Sequence, residues 1–274
     1  MVDPLHDPDD PELLDPYRAR DLAGLVENAR LASGAVRYGR IGAVGCARVV
    51  VNPDSPLPGG NHACALDGTS AEVAGTLLRL ERSFADVGRA EAVVYASPTT
   101  VAEIEGIADD AGWYAVEELL TFVHRRRRGP LGESAQVRPA VDADLPQLAE
   151  LLADDLGVGG SRKLVRHLGQ RLDDPRCALL VVDDGDRVGG FASGFGEHRV
   201  GLVEQVVVRP ARRRRGVGSA LVDGLVSALW DAGALLVSAQ VAEGGAGERF
   251  AEACGFEAAY PVTAYARRVD ELLD

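Results

Sequence analysis

Residues 204 to 219 read EQVVVRPARRRRGVGS and hold the residue types in this chain best suited to chemistry. Arg212, Arg213, Arg214 and Arg215 run into Gly216, Val217, Gly218 and Ser219, in a chain whose formal net charge is -13. Val206, Val207 and Val208 are β-branched and contiguous, and Pro210 has no N–H to extend a ladder, so a strand ends there. From Val217 onward, Leu221, Leu225 and Ala228 recur at helical spacing. The glycines therefore stand at the start of a helix that follows a strand, where unpaired backbone N–H groups meet the positive end of the helix dipole. Such a place binds phosphate: glycine lets the backbone approach closely and the arginines add charge. The spacing Arg213-x-x-Gly216-x-Gly218 lacks the Lys-Ser/Thr of a P-loop and the third glycine of a dinucleotide fingerprint. The competing reading is a solvated arginine run capping an ordinary helix.

Composition limits the partners. A pI near 4.9 gives no bulk attraction for nucleic acid or an anionic membrane, so a bound anion must be met by a local patch. No stretch approaches the roughly 20 apolar residues of a membrane span. The opening MVDPLHDPDDPELLDP has neither the basic start nor the apolar middle of a signal peptide, and a cytoplasmic protein is expected. Cys46, Cys64, Cys177 and Cys254 show no CxxC or Cys/His spacing, which predicts buried thiols, no disulfide framework and no metal site.

The elements that must position the arginine and glycine turn alternate. DPYRARDLAGLVENARLAS predicts a helix, GAVGCARVVV and NHACAL strands, and SAEVAGTLLRLERSFADVG a helix capped by Ser70. AEAVVYAS predicts a strand, PTTVAEIEGIADDAG a helix starting near Pro98, and WYAVEELLTFVHRR a strand. Residues 125–135, polar and broken by Gly and Pro, form the linker candidate. Beyond it come a short strand, two helices (DADLPQLAELLADDL and SRKLVRHLGQRL), a hairpin over ALLVVDDGDRVGGFASGF, and the strand VGLVEQVVV. The turn, its helix, the strand ALLVSAQV, the helix GERFAEACG and the strand AYPVTAYARR close the chain. The fold class expected is α/β with a mixed central sheet.

The stretch VVVRPARRRRGVGSALVDGLV resembles the cofactor motif of the GNAT superfamily of acyl-CoA-dependent N-acyltransferases. A strand ending in Val-x-Pro precedes it, and a further strand and RFAEACGF, with Gly255-Phe256, follow. The resemblance covers about residues 136 to 268 and implies acetyl-CoA as co-substrate. Arg213, Arg214, Arg215, Gly216, Val217, Gly218 and Ser219 would hold its pyrophosphate. Val206, Val207 and Val208 would line the pantetheine arm by backbone pairing. Residues 34–124 look like a degenerate second copy, with Gly112-Trp113 in place of the terminal Gly-Phe and LDGTSAEVAG in place of the phosphate motif, so no CoA site is expected there. The resulting division is 1–33, a tail and helix; 34–124, the degenerate copy; 125–135, the linker; and 136–274, the acetyltransferase domain.

Acyl transfer to an amine needs a base. Glu204 lies on the motif strand, and strict alternation puts it on one face with Val206 and Val208, making it the base candidate. Glu197 and His198 rank lower. The resemblance also implies a tyrosine acid in the second helix, yet Ala251 stands at that position, and Gly244 and Gly247 replace the Asn and Ala that usually open it. Tyr260 and Tyr265 are the substitutes, and Cys254 is read as core. The expected reaction is acetyl transfer from acetyl-CoA to a primary amine of a small molecule, with no nucleic-acid or membrane partner and a homodimer left open. The alternatives are a noncatalytic acyl-CoA sensor and an enzyme of this fold with another acyl acceptor. Net acidity favours a cationic acceptor, whereas the helix of Arg162, Lys163, Arg166, His167 and Arg171 favours a neutral or carboxylate-bearing amine.

Overall fold

The computed structural model describes residues 15–125, 137–157 and 161–270, which leaves the Asp-Pro tail and nearly all of the expected linker outside the described residues. Contacts divide the chain into two units. The first takes the described residues up to Phe122 with Gln240–Glu252 and those from Glu257 on; the second takes the described residues of Val123–Ala239 with Ala253–Phe256.

The first unit opens with α1 (Pro16–Gly34), whose N-cap Asp15 accepts from the N–H groups of Tyr17 and Arg18. Then follow β1 (Arg40–Val44), β2 (Ala47–Val51), β3 (Asn61–Cys64), α2 (Ser70–Asp86), β4 (Glu91–Ala96), α3 (Ile104–Asp110) and β5 (Tyr114–His124). GAVGCARVVV, expected as one strand, is a hairpin: Gly45 takes φ +58, which a two-residue turn requires, and Val44 pairs with Ala47. Helix α2 is capped by Thr69 and not Ser70. Thr69 Oγ1 receives the Glu72 N–H while the Glu72 carboxylate receives the Thr69 N–H. Helix α3 begins at Ile104, well past Pro98, because Ser97 to Thr100 closes as a turn. Val73, Leu77, Leu80 and Phe84 of α2 are buried with Val94 and Trp113, and each such side chain contributes about 1.5–3 kcal/mol.

The second unit contains β6 (Val137–Pro139), α4 (Leu145–Leu156), α5 (Ser161–Leu172), β7 (Cys177–Asp184), β8 (Arg187–Glu197), β9 (Val200–Val208) and α6 (Val217–Asp231). The last elements of the chain are β10 (Leu236–Ala242), α7 (Ala246–Ala253) and β11 (Glu257–Arg268). The linker-based boundary would keep β11 with the second half, but β11 pairs antiparallel with β4, Thr263 opposite Ala96 through Arg268 opposite Glu91, and so belongs to the first unit.

Each unit repeats one pattern. In the first, β1, β2 and β3 are successively antiparallel, and α2 crosses to β4, which is parallel to β3. In the second, β7, β8 and β9 are successively antiparallel, and α6 crosses to β10, which is parallel to β9. Leu221, Leu225 and Leu229 of α6 seat on glycines. A Cβ on Gly194 would stand 2.9 Å from Leu225 Cδ1, and one on Gly201 would stand 3.0 Å from Leu229 Cβ. Leu229, rather than the expected Ala228, continues the buried stripe. No helix among the described residues is long and apolar enough to cross a membrane. Those residues also contain no group of side chains that could hold a metal.

Candidate acyl-carrier site

The ladder of β9 with β8 runs to Val208 opposite Gly190, and a single 3-10 turn, Pro210–Arg212, follows. Arg213 is extended, Arg214 takes φ +60 and Gly216 takes φ +79 as N-cap of α6. No side chain caps the helix, and the first turn closes with the Ala220 N–H on the Gly216 carbonyl at 2.9 Å. The N–H groups of Val217, Gly218 and Ser219 therefore lie ahead of the helix ladder, in the position from which helix starts can hold an anion. A Cβ on Gly216 would meet nothing within 4 Å. The glycine is thus required by its backbone angle, and the space before it is open.

The arginines divide their work. Arg212 pairs with Asp184 at 2.6 Å, and Arg213 turns its Nε back onto the Val208 carbonyl at 2.9 Å with Asp155 at 3.8 Å. Both brace the loop from behind, so Arg213, expected as a charge partner for phosphate, is first a strut. Arg214 and Arg215 are exposed and keep their charge toward solvent.

On its other side β9 pairs with β10 only from Val200 opposite Leu236 to Val203 opposite Ala239. Glu204 to Val208 lie beyond that parallel register, which gives a strand edge of the kind that an extended amide chain can join. Val206 and Val208 face α6, because they pair with Ala192 and Gly190, and a Cβ on Gly190 would meet Leu221 Cδ1 at 3.3 Å.

Glu204 does not share that face. Gln205 pairs with Ser193 and Val203 with Gly194, so Glu204 is the extra residue of a β-bulge. The bulge inverts the alternation and turns Glu204 toward α5, where Arg171 Nη2 donates to its Oε2. Arg171 is buried, and its guanidinium carbon lies 6.0 Å from the centre of the Phe195 ring. One turn earlier, burial and the Arg171 charge push His167 down to about 4, so it is neutral at pH 7. Cys177, opposite Phe195 across β7 and β8, is pushed up to about 12 by burial. The burial of Arg171 could have been anticipated, since it follows Leu164 and Leu168 in one stripe; its pairing with Glu204 depends on the bulge, which has no such signal.

The lower-ranked candidates are occupied or elsewhere. Glu197 binds Arg176 at 2.8 Å, and His198 sits in the turn with φ +53, before β9 begins at Val200, with the strand from Val200 to Glu204 adding roughly 13 Å at ~3.3 Å per residue. Tyr260 and Tyr265 are in the first unit, as is the buried Ala251, and burial pushes both phenols up. Cys254 is buried, as expected of a core residue, and Gly255 takes φ +83 ahead of Phe256, whose ring stands 5.2 Å from that of His124. In the first unit the equivalent helix end, on α2, is filled from within by Glu72, which also receives the Thr69 hydroxyl at 2.7 Å.

An antiparallel run turning parallel through an uncapped, glycine-led helix defines a mixed α/β protein whose helix start is of the kind that can receive a phosphate. The family model described as acetyltransferase (GNAT) family matches residues 145–256, which places that segment in the GNAT superfamily. A mycothiol acetyltransferase from Clavibacter michiganensis subsp. michiganensis is 37% identical over 97 residues, which span 34% of this chain and 30% of that protein. A GCN5-related N-acetyltransferase structure from Kribbella flavida shares the fold at TM-score 0.68 and 14% identity, covering 90% of this chain and 95% of that one. A tandem GNAT protein from the clavulanic acid biosynthesis pathway shares it at TM-score 0.58 and 12% identity, covering 93% and 94%. Likeness to the tandem protein agrees with the pattern repeated in the two units.

Proposed function

We propose that the chain is an acetyl-CoA-dependent N-acetyltransferase acting on a primary amine of a small molecule. The observation that carries this reading is the uncapped start of α6 with Gly216 at φ +79 and open space before it. Val217, Gly218 and Ser219 would give their N–H groups to the pyrophosphate, Arg214 and Arg215 would add charge, and the edge from Glu204 to Val208 would pair with the pantetheine amides. Acetyl-CoA supplies an activated acetyl thioester. Glu204 takes one proton of the acceptor ammonium, directly or through one water; the nitrogen lone pair then forms the C–N bond as the C–S bond breaks, and the nitrogen sheds its second proton to water to give the amide. The departing sulfur has a thiol pKa near ~8.5, so it leaves as thiolate and regains a proton from solvent without a dedicated acid. This fits a chain with Ala251 where the family tyrosine would be.

The acceptor is neutral overall or carries a carboxylate, because α5 exposes Arg162, Lys163 and Arg166 despite the acidity of the chain. Nucleic acid and membrane are not among the proposed partners, and a cytoplasmic location fits the chemistry. Ala251 also favours a second reading, an acyl-CoA sensor without turnover. One experiment decides: thiol release from acetyl-CoA with a panel of amines, alongside thermal stabilisation by CoA and by DNA. Amine-dependent thiol release supports the transferase, stabilisation by CoA without turnover the sensor, and DNA binding without CoA binding neither.

A further inference from the structure

We propose that Arg171 is a positioning residue for Glu204, an inference that rests on the proposed transferase reading of this site. Helix α5 carries Arg162, Lys163 and Arg166 on its exposed side, but Arg171 stands in the buried stripe with Leu164 and Leu168. A guanidinium is stable in an apolar stripe only when its charge is matched. The match is Glu204, to which Arg171 Nη2 donates.

Glu204 has particular need of a fixed partner. As the extra residue of the bulge between Gln205 opposite Ser193 and Val203 opposite Gly194, it stands outside the regular alternation that sets the direction of its neighbours. Arg171 supplies that direction from the helix side, and Phe195, beneath the guanidinium, holds Arg171 in turn. The other groups around Phe195 do not replace it. Arg176 lies 5.1 Å from the same ring but is engaged by Asp174 and Glu197, both at 2.8 Å, and His167 is neutral at working pH. A lysine would conserve the charge of Arg171 but not the planar fork that orients a carboxylate.

The test uses the full chain and the amine giving the fastest thiol release, comparing wild type, Arg171→Gln, Arg171→Lys, Glu204→Gln and the double variant Arg171→Gln/Glu204→Gln. Arg171→Gln is expected to lower kcat by about 30-fold with KM for acetyl-CoA within about twofold, and Arg171→Lys to recover part of the loss. The double variant is expected within about threefold of Glu204→Gln alone, since Arg171 acts through that carboxylate. Losses that multiply in the double variant, or a raised KM for acetyl-CoA with unchanged kcat, would overturn the proposal. If Arg171→Gln does not fold, Arg171→Lys and Arg171→Lys/Glu204→Gln complete the same cycle. Wild type that releases no thiol with any amine removes the transferase reading and this inference together; active wild type with multiplying losses removes the inference alone.

Discussion

Arg171 on α5 donates to the carboxylate of Glu204 at the point where β9 carries an extra residue against β8. The side chain on which acyl transfer is proposed to depend is therefore aimed by an irregularity of the strand and held by a helix that the strand's own alternation would have turned it away from.

Glu204→Gln keeps the size and the bulge but removes the proton acceptor. Loss of a general base costs typically about 10²–10⁴-fold, so kcat is expected to fall by about two orders of magnitude with CoA affinity unchanged. Calorimetry with CoA and a thiol-release assay on the same preparation measure both; full activity in the variant would retire Glu204 as the base.

Gly216→Glu places a side chain at φ +79 and a carboxylate in the open space before α6. Left-handed strain costs about 1–3 kcal/mol at a non-glycine residue, and charge repulsion with the pyrophosphate adds to it. CoA affinity is expected to drop by at least about 100-fold. An unchanged dissociation constant by calorimetry would take the phosphate site away from this turn.

The two helix ends predict stoichiometry. Start of α6 is uncapped, while start of α2 is closed by Thr69 and Glu72, so titration is expected to give one CoA per chain. Thr69→Ala is expected to cost about 1 kcal/mol of stability and leave CoA affinity unchanged. Two equivalent sites in the titration would contradict this assignment.

Acid sensitivity is expected to come partly from His62, buried in the first unit with its Nδ1 3.0 Å from the Gly59 carbonyl and its ring against Tyr95. Burial lowers it from 6.5 to about 3. The unfolded chain then binds the extra proton between those values, so stability is lost as pH falls through that window, by up to about 1.4 kcal/mol per pH unit. Glu27, raised by burial, acts in the opposite sense. Chemical denaturation of His62→Gln between pH 6.5 and 4 is expected to show a shallower decline than wild type; parallel declines would exclude His62.

Much of this was legible in the residues. Contiguous valines, Pro210 and the 3.6-residue spacing after Gly216 are local signals, and the structure forms a strand, a turn and a helix where they fall. The N-cap at Thr69 instead of Ser70 was a choice between adjacent hydroxyl residues, decided by Glu72 standing three residues beyond Thr69. The bulge at Glu204 was not legible, because nothing in EQVVV distinguishes a regular ladder from one with an added residue; that depends on the partner strand. Nor was the pairing of β11 with β4, which joins residues far apart in the chain and leaves no mark on either strand alone.

That pairing bears on how the protein is made. Residues up to Phe122 emerge from the ribosome while the strand that β4 requires, Glu257–Arg268, is still untranslated. At about 5–20 residues per second, the wait is on the order of ten seconds. Over that interval one side of β4 is without its neighbour, so chaperone dependence during synthesis is expected to concentrate on the amino-terminal portion, and early termination before β11 to leave it prone to aggregation.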